Sequence, residues 1–189
     1  MEIGIWGDSI TYGQCDPEGL GWVGRLRRFL PTGDSTSVYN FGVRGDTTVD
    51  LLKRFAIEAD SIEPDVIVFA IGINDSKFLK GETENQVPID LFKQNMEELL
   101  TLAQKHTTKI YLVGATKADE SVVRSSGARF QNEAIQIYNA TLKQLAEQQN
   151  IPFINIFDLL NITTDIDDGV HPNAQGYEKM FKVIMAVMK

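Results

Sequence analysis

Short apolar runs rich in β-branched residues alternate along this chain with longer stretches of helical period. We predict strands from these runs, near residues 2–6, 37–42, 66–71, 109–114 and 152–156. A helix between two strands returns the chain to the same edge of the sheet, so this alternation is typical of parallel βαβ units. The pattern therefore predicts an α/β fold with a five-stranded parallel sheet.

Apolar residues recur at helical spacing in the stretches that separate and follow these strands. We interpret them as core faces rather than cofactor sites, because a helix that covers a sheet needs one apolar face. They are Val49, Leu52, Ala56 and Ala59; Ile89, Phe92, Met96, Leu99 and Ala103; Ala134, Tyr138, Leu142 and Leu145; and Tyr177, Met180, Phe181, Ile184 and Val187. Thr47 and Asp50 predict the start of the first of these helices.

Length and charge exclude several classes of protein. A chain of 189 residues suits one domain, which we place at residues 1–189. The formal net charge of -8, with no basic cluster beyond residues 25–28, argues against nucleic acid and anionic lipid as partners. No apolar run is long enough for membrane insertion. The oligomeric state is not indicated.

The single cysteine and the start of the chain bear on location. Cys15 has no second cysteine with which to form a disulfide, and we interpret it as a loop thiol near the mouth of the site. Met1 leads directly into an apolar run without the basic flank of a signal peptide. We therefore expect a cytoplasmic protein.

Only one of the two histidines stands in a sequence typical of a catalytic base. His106 follows a stretch of helical period, where a cationic group suits the helix dipole. His171 follows Asp168 by three residues on a predicted loop before the last helix. An acid at this spacing can accept the imidazole Nδ1 proton and leave Nε2 free for a hydroxyl group. On its own, this segment is equally consistent with a polar turn.

Ser9 is the candidate nucleophile. It follows the first predicted strand, in Gly7-Asp8-Ser9-Ile10. A serine hydroxyl attacks a carbonyl poorly near neutral pH unless an adjacent base takes its proton. Ligands of open α/β sheets bind beyond the carboxyl ends of the strands, so segments that follow three different strands can converge on one substrate.

Four short segments, in order, resemble the motifs of the SGNH or GDSL-type esterase and lipase family. They are Gly7–Ile10, Val43–Asp46, Gly72–Asp75 and Asp168–His171, and together they span nearly the whole chain. The resemblance implies a single-domain three-layer α/β/α sandwich with the flavodoxin-like strand order 2-1-3-4-5. It also implies hydrolysis of small-molecule carboxylic esters with no cofactor. Ile10 stands where the family has leucine, and we expect this conservative change to alter little.

The resemblance implies a role for each matching residue. Ser9 would be the nucleophile, His171 the base and Asp168 the acid that orients the imidazole. The Ser9 backbone, Gly45 and Asn74 would form the oxyanion hole. The implied reaction passes through an acyl-enzyme intermediate.

Four of the residues in these motifs have a plain structural explanation as well. Gly45 is consistent with a turn at positive φ, and Asn74 with a turn that follows a strand. Asp8 and Asp75 adjoin the key residues, and we assign them supporting roles through hydrogen bonds to backbone N–H groups.

Two other classes of protein compete with the esterase hypothesis. A flavodoxin-like module could bind phosphate or flavin at residues 9–13, but the pair of Asp168 and His171 would then have no purpose. A metal-dependent phosphoesterase needs several convergent histidines and carboxylates, and this chain has too few. Asp165 and Asp167 lack regular ligand spacing and are expected to be solvated. We predict no required metal.

Substrate preference depends on two polar insertions, at 77–87 and 117–131. Charged residues outnumber apolar ones in both, which favours a short-chain or acetyl ester over a long lipid tail. Thioesters and lysophospholipids remain alternatives within the same family.

Overall fold

The computed structural model describes residues 1–30, 36–122 and 124–188. Its strands are β1 (Glu2–Gly7), β2 (Ser37–Gly42), β3 (Val66–Ala70), β4 (Ile110–Val113) and β5 (Phe153–Ile154). Neighbouring strands are parallel, in the order β2-β1-β3-β4-β5. The five-stranded sheet and its order are thus confirmed, and β3, β4 and β5 are shorter than predicted, β3 by one residue.

Helices cover both faces of the sheet. They are α1 (Ser9–Tyr12), α2 (Gly21–Phe29), α3 (Thr48–Ile62), α4 (Ile89–Ala103), α5 (Asn132–Gln148) and α6 (Ala174–Met188). The core side chains of α2 and α6 pack with Ile3 and Ile5 of β1 on one face. Those of α3 and α4, with most of those of α5, pack with Trp6 on the other. Because side chains alternate along β1, one strand serves both core layers of this three-layer sandwich.

The core faces of α4 and α5 are confirmed, as is the burial of Ala59 in α3, but the earlier part of the stripe predicted for α3 is displaced by one residue. Leu51 and Phe55 are fully buried, whereas Val49 and Leu52 are only partly buried. Both sets recur at helical spacing, so periodicity alone could not choose between them. Phe55 decides the outcome, because its ring packs edge-on against Trp6 with centroids 4.9 Å apart.

The prediction that Val187 belongs to the core face of α6 is also wrong. Tyr177, Met180 and Ile184 are buried, but Val187 is 45% exposed. Met188, four residues after Ile184, is partly buried in its place. Four residues complete slightly more than one helical turn, so Met188 rather than Val187 continues the buried face.

The loops that contain the candidate site residues leave the sheet at one edge. Residues 8–9 follow β1, residues 43–47 follow β2 and residues 71–76 follow β3. Thr47 and Asp50 form the predicted capping box at the start of α3. No helix among the described residues is long and apolar enough to cross a membrane.

Candidate active site

A continuous chain of hydrogen bonds joins Ser9, His171 and Asp168. The Ser9 Oγ lies 2.8 Å from His171 Nε2. On the other side of the ring, His171 Nδ1 lies 2.8 Å from Asp168 Oδ2 and 3.0 Å from Oδ1. Ser9 and His171 are both buried, although 162 residues separate them. The structure thus brings together the three side chains that the sequence singled out.

Ser9 is held on a tight strand-to-helix turn. It is the first residue of α1, and the Asp8 side chain caps this helix by accepting a hydrogen bond of 2.9 Å from the Ile10 N–H. A Cβ at Gly7 would lie 2.3 Å from the Ala70 carbonyl oxygen, so only glycine fits there. The close approach of β1 to β3 therefore fixes where the serine leaves the sheet.

The loop before α6 explains the three-residue spacing between Asp168 and His171. Asp168 Oδ1 accepts hydrogen bonds from the backbone N–H groups of Val170, at 3.2 Å, and His171, at 3.0 Å. Gly169 between them has φ of 87°, which favours glycine. The carboxylate therefore holds its own turn closed and contacts the imidazole at the same time.

Arg124 also binds Asp168, a contact that sequence reasoning missed. Its Nη2 lies 3.0 Å from Asp168 Oδ2, and its Nη1 donates to the Asp168 carbonyl oxygen at 3.3 Å. Burial alone would raise the pKa of Asp168, but Arg124 and the hydrogen bonds from His171 hold that pKa well below its usual range. The carboxylate therefore stays ionised.

The environment of His171 favours its neutral form. Burial lowers the pKa of the imidazole; Asp168 opposes this effect, and the nearby cations Arg124 and Arg44 lower the pKa further. A neutral imidazole has one free lone pair. With Nδ1 facing Asp168, that lone pair lies on Nε2, where it can accept the Ser9 proton.

Gly45 and Asn74 line the same pocket as Ser9. Gly45 has φ of 87°, and no atom lies within 4 Å of the position of a Cβ. Asn74 Nδ2 donates to the Asp46 carbonyl oxygen at 3.0 Å, and its Oδ1 accepts from Lys77 Nζ at 3.0 Å. An ammonium group can only donate, so these two partners fix the amide orientation and leave one N–H of Nδ2 for another acceptor.

The pocket is a cavity of about 280 Å³ at the carboxyl edge of the sheet. Ser9 and His171 lie on it together with residues of both predicted insertions. Its apolar lining is made by Ile73, Ala128, Phe130 and Val170. The insertions also contact each other, since the backbones of Phe78 and Arg129 exchange two hydrogen bonds of 2.9 Å. Val123 of the second insertion lies outside the described residues.

Asp8 and Asp75 accept backbone hydrogen bonds from neighbouring elements. Asp75 accepts from the N–H of Thr48, the first residue of α3, at 3.0 Å and also accepts from its hydroxyl group. Burial raises the pKa of Asp8 to about 7 and that of Asp75 to about 6. Asn95 of α4 donates a hydrogen bond of 3.0 Å to the Thr48 hydroxyl, so Thr48 links the Asp75 loop, α3 and α4.

Cys15 lies in a turn, as predicted, and its thiol is close to the side chains of the candidate catalytic residues Asp168 and His171. Ligand atoms of Cys15, Asp168 and His171 lie within 4.8 Å of one another. Burial, together with Asp168 and Asp167, raises the pKa of the thiol to about 11. The group therefore stays a thiol, which is a far weaker nucleophile than a thiolate.

The remaining acids and the second histidine lie elsewhere. Asp165, expected to be solvated, is instead 1% exposed and binds Lys179 Nζ at 2.6 Å and the Asn161 N–H at 2.8 Å. It is a structural acid that fixes the loop before α6. His106 follows α4, and its Nε2 lies 3.6 Å from Asp60 of α3.

Relatives of known description share this fold and sequence pattern. An acetylxylan esterase of Xylanibacter ruminicola is 27% identical over 100% of this chain, which spans 43% of that protein's length. An arylesterase of Vibrio mimicus is 26% identical over 90% of this chain and 80% of its own. A lipase/acylhydrolase structure from Enterococcus faecalis matches 99% of this chain and 94% of its own, with 25% identity and a TM-score of 0.81.

The family assignment rests on a match along most of the chain. A family model described as the GDSL-like lipase/acylhydrolase family matches residues 5–179. That range contains every segment that carries the resemblance, from the turn after β1 to the loop before α6. The chain therefore belongs to the GDSL-like lipase/acylhydrolase family of ester-hydrolysing enzymes.

Proposed function

We propose that this chain is a serine hydrolase that cleaves short-chain carboxylic esters, acetyl esters above all. The observation that carries the proposal is the unbroken chain of hydrogen bonds from Ser9 through His171 to Asp168, at the floor of an open pocket. Residues 1–189 would act as one domain, since its helices cover both faces of a single sheet.

In the first half of the reaction, Ser9 Oγ attacks the ester carbonyl carbon while His171 Nε2 takes its proton. Collapse of the tetrahedral intermediate breaks the bond to the alcohol oxygen, which leaves with the proton from His171. Asp168 keeps the ring in the tautomer that this transfer needs and stabilises the imidazolium. The product is an acyl-enzyme on Ser9.

In the second half, His171 takes a proton from water, and the resulting nucleophile attacks the acyl carbon. The acid product leaves and Ser9 recovers its proton. In both halves negative charge develops on the carbonyl oxygen. The Ser9 N–H, the Gly45 N–H and the free N–H of Asn74 are the donors we propose for it. Lys77 would position Asn74 through its contact with Oδ1.

The preference for small acyl groups has two supports. The cavity of about 280 Å³ has polar groups on much of its lining. Two of the relatives are described as acetylxylan esterases, that of Xylanibacter ruminicola and that of Geobacillus stearothermophilus, which is 26% identical over 90% of this chain. Both favour a small acyl group on a polar alcohol.

The test is hydrolysis of p-nitrophenyl esters from acetyl to long acyl chains. We expect the acetyl ester to have the highest kcat/KM, Ser9→Ala to lose at least about a thousandfold, and a chelator to change nothing. The exposed Ser61 of α3 supplies the matched control Ser61→Ala. Full activity in Ser9→Ala, or no activity of the wild type on any ester, would overturn the proposal.

A further inference from the structure

Three cationic side chains line the pocket that contains Ser9 and His171. They are Arg44 from the loop after β2, Lys77 from the loop after β3 and Arg124 from the loop after β4. No aspartate or glutamate is among the described residues that line this pocket. We call these three side chains the cationic rim.

Two members of the cationic rim are not neutralised by an ion pair. Arg44 donates its Nε to the Gln14 side-chain oxygen at 2.7 Å. Lys77 donates to Asn74 at 3.0 Å. Both acceptors are uncharged, and within the described part of the chain neither cation has a carboxylate oxygen within 4.0 Å. Only Arg124 has such a partner, Asp168.

The acids nearest to the rim do not line the pocket. Asp8 and Asp75 are buried, and burial raises the pKa of Asp8 to about 7 and that of Asp75 to about 6, so near neutral pH Asp8 is only partly ionised, whereas Asp75 is largely ionised. Asp46 is already paired with Arg54 at 2.8 Å. The side chains that line the pocket thus carry positive charge, and the nearest carboxyl groups lie outside that lining.

The positive charge of the pocket lining is opposite in sign to the net charge of the molecule. The chain has 26 acidic and 18 basic side chains, a formal net charge of -8. Lys77 is in addition largely withdrawn from water, and this burial lowers its pKa. Clustered like charges repel each other, and burial of one of them costs free energy. A bound anion would relieve both penalties.

We infer that the natural substrate is an ester that carries an anionic group, a carboxylate or a phosphate, which Arg44 and Lys77 bind while Ser9 attacks the ester carbonyl. Arg44 presents a planar fork that suits two oxygens of such a group, and Lys77 adds a point charge. The inference rests on the proposed ester hydrolysis and names the class of ester.

The test compares matched anionic and neutral substrates. On the acyl side these are the mono-4-nitrophenyl ester of glutaric acid and the corresponding neutral methyl diester. On the alcohol side they are 4-acetoxybenzoate, 4-acetoxyphenyl phosphate and the neutral 4-acetoxybenzamide. Each kcat/KM is divided by the rate of uncatalysed hydrolysis. We expect the anionic member to be preferred at least about fivefold on one side, and the alcohol side distinguishes carboxylate from phosphate.

The variant Arg44→Gln assigns the preference to the rim. We expect it to lower the ratio of anionic to neutral kcat/KM about fivefold, while Arg44→Lys retains most of the ratio. Arg28→Gln is the matched control. Arg28 is exposed on α2, so this substitution removes the same charge outside the pocket. The preference should also fall as salt is added.

The outcomes separate this inference from the proposed function. Hydrolysis of the neutral and anionic esters at equal corrected rates, on both sides of the ester, would overturn the inference and leave the esterase proposal standing. A preference that Arg44→Gln and Arg28→Gln lower equally would also overturn it, because net charge alone would then explain the effect. Absence of Ser9-dependent activity on every ester would instead overturn the proposed function.

Discussion

At the scale of single residues, Asp168 is the group on which the candidate site depends most. It accepts hydrogen bonds from two backbone N–H groups of its own loop, from the His171 ring and from Arg124. The two backbone hydrogen bonds fix the loop, and the contact with the imidazole favours a proton on His171 Nδ1. Arg124 keeps the Asp168 carboxylate ionised. Arg124 therefore acts on His171 through Asp168, and we regard it as a positioning residue.

Replacement of Arg124 should change the pH dependence of ester hydrolysis. The guanidinium lowers the pKa of His171, and His171 must be neutral to take the Ser9 proton. In Arg124→Gln the imidazolium is repelled less, so the pKa of His171 rises and activity on the acid side is lost at a higher pH than in the wild type. We expect kcat to fall about tenfold as well, because Asp168 loses one of its anchors.

The measurement is the pH profile of kcat/KM on a neutral acetyl ester, between about pH 5 and 9. Arg124→Lys keeps the charge, so its acid limb should stay close to that of the wild type. Arg28→Gln controls for net charge. An acid limb that stays in place in Arg124→Gln, or moves to lower pH, would show that Arg124 does not influence His171.

At the scale of elements, the sequence predicted the strands, their edge and the segments that meet there. The distinct local periods of strands and helices predicted the strands and their ends, whereas the strand order and the site residues came from the resemblance to the family. It could not predict the phase of α3, where Leu51 and Leu52 both continue an apolar stripe. Arg124 and Lys77 were also missed, because nothing in their local sequence indicates contacts with Asp168, 44 residues away, or with the side chain of Asn74.

The turn from β1 into α1 holds a buried carboxyl group, Asp8, whose charge destabilises the fold beside the proposed nucleophile Ser9. Burial raises the pKa of Asp8 from 3.8 to about 7, so between these values the folded protein binds a proton that the unfolded chain has released. Stability from this group is therefore lost as pH rises from about 4 to 7. Asp8→Asn removes this penalty and keeps an acceptor for the Ile10 N–H.

We expect Asp8→Asn to raise the free energy of unfolding by roughly 2 to 4 kcal/mol near pH 8 relative to its effect near pH 4. Urea unfolding at the two pH values measures the difference. The exposed Asp90 of α4 provides the control Asp90→Asn, since folding does not take that carboxylate out of water. A gain of the same size at both pH values would mean that Asp8 is ionised in the folded state throughout.

At the scale of the whole molecule, the candidate site is assembled from the two ends of the chain. Ser9 follows the first strand and His171 precedes the last helix, so the pair forms only when α6 packs beside α2. One further bond ties the same parts together. The buried Tyr177 of α6 donates its hydroxyl to the Gln14 carbonyl oxygen at 2.7 Å, and Gln14 itself lines the pocket.

Loss of this tie should weaken fold and activity together. Tyr177→Phe leaves the Gln14 carbonyl without that donor, so we expect it to lower the free energy of unfolding by about 1–3 kcal/mol. Trp22 of α2 is fully buried in the core layer it shares with α6. Its fluorescence, recorded in a Trp6→Phe background, therefore reports on the docking of that helix.

In urea, the loss of esterase activity and the change in Trp22 fluorescence should have the same midpoint in the Trp6→Phe protein that serves as the parent. Both midpoints should move to lower urea by the same amount in Tyr177→Phe. Thr101→Val, at an exposed position of α4, is the control. Activity that disappears well before the fluorescence changes would show that the site opens locally while α6 stays docked, and the two ends of the chain would then not act as one cooperative unit.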